Sequence, residues 1–193
     1  MMALVVLLVL SSLTAHAGKN CKRSLLVPDH VKTQFAGNMG VLSLGLGYSF
    51  FNGKLESDMF YGYVGTGQSD HSIQHLTQKN TFYPYSLPVN DVLVWKPVSF
   101  GLSFLYKVGD TNRETWLFLP ERYPNSYYFA TAFHALVTVG TSMTYKGPGI
   151  LRNTGMYLEA GTTALYIRNW LSEDFVKLSD IVSLGIGIKK MFN

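Results

Sequence analysis

The chain has 193 residues, 15% of them charged and 14% aromatic, with a formal net charge of +4. Its length suits one domain, and its charged fraction is low beside the roughly 25% of a soluble domain. No run of about 20 apolar residues is present that crosses a bilayer as a helix. The 16 Lys and Arg residues are scattered, which argues against nucleic acid as a partner. A chain poor in charge, rich in Tyr and Phe and without a spanning helix fits a membrane β-barrel.

The first element is an apolar segment, residues 3–10, followed by Ser11-Ser12-Leu13-Thr14 and Ala15-His16-Ala17. The Ala-x-Ala triplet predicts a signal peptide over residues 1–17, cleaved after Ala17, although no Lys or Arg precedes the apolar core. That core is too short to be an anchor. Cys21 is the only cysteine, so an intrachain disulfide is excluded. Lipid attachment there wants small residues just before it, and Lys19-Asn20 do not supply them. Residues 18–33, mixed and basic with Pro28, read as a periplasmic extension, leaving residues 34–193 for a barrel domain.

From Gln34 onward the pattern has the strand period of two. Leu42, Leu44, Leu46, Tyr48 and Phe50 alternate with Ser43, Gly45, Gly47 and Ser49. Asn52-Gly53 is a hairpin signal, and folding there puts Leu55, Met59, Tyr61 and Tyr63 on the same apolar face, opposite Glu56 and Asp58. Phe100, Leu102, Phe104 and Tyr106 repeat the pattern, as do Val137, Val139, Met143 and Tyr145, and Val182, Leu184, Ile186 and Ile188. The predicted strands are 34–51, 55–65, 72–82, 97–108, 113–120, 128–145, 151–168 and 178–192. Residues 91–95 read as a loop or a turn of helix. Ser-Leu-Gly-Leu-Gly at 43–47 and Ser-Leu-Gly-Ile-Gly at 183–187 fall in the first and last strands, which pair to close a barrel; small inner residues suit a narrow one. The expected fold is all-β, an eight-stranded antiparallel up-and-down transmembrane β-barrel with both termini in the periplasm.

Segregation by size, with Leu, Ile, Phe and Tyr on one face and Gly, Ser and Thr on the other, argues against a soluble barrel, whose apolar side chains fill its lumen. Aromatic residues near strand ends, including Tyr63, Tyr106 and Tyr145, match interfacial girdles. Phe192 resembles the terminal aromatic that outer-membrane barrels present to their assembly machinery, with Asn193 departing from the strict pattern. Residues 34–51, 75–84, 117–124 and 177–188 together resemble uncharacterised small outer-membrane β-barrel proteins of bacteria. The resemblance implies a place in the outer membrane, the lipid bilayer and the barrel-assembly machinery as partners, and no particular activity.

Some eight-stranded outer-membrane barrels modify lipid A with a histidine that activates a hydroxyl. The candidate pair here is His134 and Glu159, which parity places inside as diagonal neighbours if the chain turns at Gly147-Pro148-Gly149. The deacylase pattern has serine two residues after the histidine, where this chain has Leu136. Asp70-His71-Ser72 with His75 is a second cluster, but adjacent strand residues point to opposite faces, and a solvated turn is the simpler reading. The charges Glu56, Asp58, Lys107, Glu159 and Lys189 point inward, to plug a lumen or line a pore. Outer loops are expected at residues 83–96, 121–127 and 169–177. The functional expectation is a monomeric structural or surface-binding outer-membrane barrel with no assignable catalytic activity and no cofactor or metal. A lipid A acyl-modifying enzyme and a narrow channel are the alternatives.

Overall fold

The computed structural model describes residues 27–37, 39–64, 73–108, 133–164 and 181–192. They form one antiparallel sheet of nine strands: β1 (His30–Ala36), β2 (Leu42–Phe50), β3 (Leu55–Val64), β4 (Ile73–Phe82), β5 (Leu87–Asn90), β6 (Leu93–Val108), β7 (Phe133–Tyr145), β8 (Thr154–Thr163) and β9 (Ser183–Met191). Each long strand pairs with its neighbours in chain order, β4 pairs with β6, and β1 pairs with β9. The result is a closed eight-stranded up-and-down barrel, with β5 a short strand beside the start of β6.

The strand count agrees with the sequence expectation, but its composition differs. Residues 34–51 are two strands, because the chain reverses at residues 37–41. Gly37 and Gly40 take φ of +80° and +109°, a region in which side chains with a Cβ are strained. Residues 30–33, expected in the periplasmic extension, belong to β1, so the boundary at 33 moves toward the N-terminus. The predicted strand at 113–120 lies outside the described residues, as do the predicted signal peptide, Cys21 and the Asp70-His71-Ser72 turn. Residues 91–95, expected as a loop or helical turn, instead include the β5–β6 turn and the start of β6.

Orientation follows the predicted parity. Leu42, Leu44 and Leu46 are 61, 56 and 52% exposed, whereas Ser43 between them is 1% exposed. The interior holds the charged residues and many small ones, together with Phe60, Leu105, Leu136 and Tyr157, and the outer wall holds Leu, Ile, Val, Met and aromatic residues. The hairpin after β2 is a four-residue turn with Phe51, Asn52 and Gly53 at positive φ; Phe50 and Leu55 face each other across it. On the far wall, Pro97 accompanies a bulge in β6 between Lys96 and Ser99, as expected of a residue without an N–H to donate. The hydroxyl of Thr141 donates to the carbonyl of Lys96 (3.1 Å) and accepts from Trp95 Nε1 (2.9 Å), so these groups at the bulge are satisfied locally.

The two ends of the barrel differ. The start of β1, the end of β9, the 51–54 turn, residues 83–92 and the 146–153 turn lie at one end, the terminal end, where His30 faces Met191. The last residues of β1, β3, β6 and β8 and the first of β2, β4, β7 and β9 lie at the other. Residues 83–92, expected among the outer loops, are therefore at the terminal end. The cause is the extra reversal at 37–41, which inverts the direction of β2, β3, β4 and β6 relative to the expectation.

Candidate functional site

The chemistry of this chain is inside the barrel. On β1, His30, Lys32 and Gln34 all point inward and are buried. Both neighbours of β1 offer glycine on the inner face: Gly45 and Gly47 on β2 lie opposite Lys32 and His30, and Gly185 and Gly187 on β9 lie opposite Ala36 and Gln34. The two Ser-Leu-Gly-x-Gly segments thus do not pair with each other, as expected from sequence; both pair with β1, one on each side. Their glycines leave gaps across which the long side chains of β1 reach the next strands.

On the β2 side, His30 Nε2 lies 2.7 Å from Asp58 Oδ1 across Gly47. A Cβ on Gly47 would overlap Asp58 Oδ1 and stand 2.5 Å from His30 Nε2. Lys32 bridges both acids of β3, at 2.6 Å from Asp58 Oδ2 and 2.8 Å from Glu56 Oε2. Glu56 also receives Lys189 at 2.7 Å and Lys96 at 3.4 Å on its other oxygen. On the β9 side, Gln34 donates to Glu159 Oε1 (2.7 Å) and accepts from the Tyr157 hydroxyl (3.1 Å). Lys79, from across the lumen, closes this second cluster with an ion pair to Glu159 and a 3.4 Å contact to Gln34.

These residues come from six of the eight barrel strands and tie opposite walls together. Lys32, Lys79 and Lys189 are 3, 2 and 2% exposed, so their charges are compensated by carboxylates and aromatic faces rather than by water. The Tyr157 ring lies 5.8 and 5.5 Å from the ammonium groups of Lys32 and Lys79, within cation–π range. Tyr83, just past β4, closes the terminal end: its ring lies 3.8 Å from Lys96 Nζ, and its hydroxyl donates to Glu56 Oε2 at 3.3 Å. Burial holds the Tyr83 phenol well above its ordinary pKa, and the hydrogen bond to Glu56 acts in the same direction. It remains a neutral donor at physiological pH.

His30, Glu56 and Asp58 bring three potential metal-ligand atoms within 4.8 Å of one another. Lys32 already occupies oxygens of both acids and Lys189 a further one. A cation there would have to displace ammonium groups that satisfy the same lone pairs, so the arrangement is an ion-pair cluster rather than a preformed metal site.

The predicted pair His134–Glu159 is not brought together. Glu159 faces Gly140, six residues along β7 from His134. At about 3.3 Å per residue, that is about 20 Å along the strand. The cause is a register offset: the reversal between β7 and β8 places Thr138 opposite Gly161, where His134 was expected. Glu159 instead belongs to the Lys79–Gln34 cluster. His134 pairs with Leu105 toward the end away from the termini, in the region of Lys107 and the buried His75. Nδ1 of His75 and the hydroxyls of Thr77 and Ser103 have no partner among the described residues. Glu56, Asp58 and Lys189 are inward as expected. Lys32, Gln34, Lys79 and Lys96 were missed, although residues 30–35 alternate His-Val-Lys-Thr-Gln-Phe at the strand period. The signal was hidden because long polar groups, not small ones, occupy the inner positions. No protein-family model matches the chain, and no curated protein or solved structure matches it either, so the functional reading rests on the barrel and the chemistry of its two faces.

Proposed function

We propose that the protein is a bacterial outer-membrane β-barrel with a sealed lumen and a structural or surface-binding role, with no catalytic activity assigned to it. The observation that carries this reading is the inversion of polarity: charges inside, Leu, Ile, Val and Phe outside. In water such a wall would leave a continuous apolar surface unburied, whereas in a bilayer it faces lipid and the closed ladder leaves no strand edge. Tyr63 and Tyr106 near one end of the wall and Phe51, Phe82 and Tyr85 near the other are exposed, as interfacial aromatic residues are. Lys54, Lys146, Arg152 and Lys190 all lie at the terminal end. Two of the turns beside the termini are short and the connections at 109–132 and 164–182 are long, which suits periplasmic termini and outer loops. Export by the 1–17 signal and assembly through β9 and Phe192, 58% exposed, belong to the same proposal.

The ion-pair clusters leave the channel reading without support, and the separation of His134 from Glu159 does the same for lipid A acyl modification. The expected result for the full-length chain produced in a Gram-negative host is recovery in the outer-membrane fraction, extraction only by detergent, and heat-modifiable gel mobility. Recovery as a soluble protein would remove the reading. Planar bilayers containing the purified barrel are expected to show no discrete conductance steps; stable steps would favour the channel. Leu46, in the middle outward row of β2, gives a graded check. Leu46→Arg is expected to cost about 2–4 kcal/mol in urea unfolding from lipid vesicles, and a change below about 0.5 kcal/mol would mean that this face does not meet hydrocarbon.

A further inference from the structure

The apolar outer wall is interrupted on β3 and β4, where Ser57, Gln78 and Asn80 point outward together. Ser57 faces Asn80 and Met59 faces Gln78 in the ladder. The outward positions of β4 run Gln74, Leu76, Gln78, Asn80, Phe82. Gln78 is therefore in the middle row, with exposed Leu76 on one side of the polar pair and exposed Phe82 on the other. The amides are enclosed by the apolar band rather than placed at its edge, where side-chain amides meet water and headgroups.

Their local bonds do not satisfy them. Gln78 Nε2 donates to Ser57 Oγ at 3.5 Å and to Asn80 Oδ1 at 3.4 Å, both at the long limit of a hydrogen bond. The Gln78 carbonyl oxygen and the Asn80 amide N–H groups find no partner among the described residues, in contrast to Thr141 on the far wall. Exchanging O and N in both amides together again leaves one acceptor and one donor free, whereas exchanging them in one alone would set like groups against each other at the Gln78–Asn80 contact. Acyl chains have neither to offer, and an amide left unpaired in hydrocarbon is costly.

An acceptor next to a donor on one face is complementary to itself under a two-fold rotation. We infer that the β3–β4 wall is the contact surface of a homodimer in the membrane, in which the Asn80 amide of one copy donates to the Gln78 carbonyl of the other, and the reverse. Met59, Leu76, Leu102 and Phe104 flank the pair and seal these bonds from lipid. The inference rests on the membrane reading above, and it replaces the monomer expected from sequence.

The test is sedimentation equilibrium of the full-length protein, purified from membranes, in density-matched detergent micelles. The wild type is expected to sediment as a dimer. Gln78→Leu/Asn80→Leu is expected to raise the dimer dissociation constant about tenfold or more while keeping its heat-modifiable mobility. Val139→Ala, on a different wall, is expected to leave the dimer unchanged. A wild type that is monomeric in micelles overturns the dimer and leaves the membrane barrel standing, as does a double leucine variant that dimerises as tightly as the wild type. A wild type that needs no detergent overturns the membrane reading and the dimer with it.

Discussion

Replacing Glu56 with glutamine is expected to destabilise the barrel by about 3–5 kcal/mol, the cost of removing one partner from a buried ion pair. Glutamine preserves shape and one acceptor but removes the charge. Among the described residues, Lys189 and Lys96 have Glu56 as their only carboxylate, and Lys32 would retain Asp58 alone. Lys32 and Lys189 are buried where water does not replace the lost partner, whereas Lys96 is part-exposed. Urea unfolding of the barrel from lipid vesicles, followed by tryptophan fluorescence, measures the effect. The effect should be local to the surplus of positive charge, so Glu56→Gln/Lys189→Met is expected to regain at least about half of the loss. If the single variant unfolds within about 1 kcal/mol of wild type, the cluster does not hold the walls together.

Gly47→Val tests a different claim, that the glycines beside β1 serve as gaps. Gly47 lies in one lateral row with His30 and Asp58, and a Cβ there would overlap Asp58 Oδ1. The carboxylate cannot simply swing away, because Lys32 and His30 hold both of its oxygens. The expected cost is about 3 kcal/mol, combining overpacking with a broken buried pair. In a His30→Ala background the same substitution should cost clearly less, since the bond that it breaks is already gone. Equal costs in the two backgrounds would mean that Gly47 is required for its backbone and not for the bond that crosses it.

The two claims together account for the repeated Ser-Leu-Gly-x-Gly segments. A narrow barrel that closes on itself has little interior volume, and the buried side chains of Lys32, Gln34, Glu56, Lys79, Glu159 and Lys189 crowd its middle. Glycine on both sides of β1 supplies the space, and β1 supplies the side chains that use it. The interior becomes a polar core, in which pairing substitutes for the apolar packing of a soluble domain. Such a core gives rigidity, which suits the structural or surface-binding role proposed above.

Much of this was legible in the amino-acid sequence. The period of two determines which face each residue takes, so the inward Glu56, Asp58, Glu159 and Lys189 and the outward Leu42, Leu44 and Leu46 follow from alternation alone. The inner position of His30, Lys32 and Gln34 was also written there, but as a strand of long polar residues that resembles a solvated segment until its partners are known. The connection between His134 and Glu159 was not decidable in that way. Parity is blind to register: a slip of two or four residues keeps every side chain on its face while moving it about 7 or 13 Å along the barrel. It is equally blind to what stands across the lumen. That Lys79 of β4 meets Glu159 of β8, and that Lys189 of β9 meets Glu56 of β3, depends on closure of the sheet, which brings together residues 80 and 133 positions apart. The sequence by itself determined the two faces of the wall, because alternation is a local property of the strand. Only the tertiary structure decided which charges neutralise one another, because that is set by ladder register and by the curvature that closes the barrel.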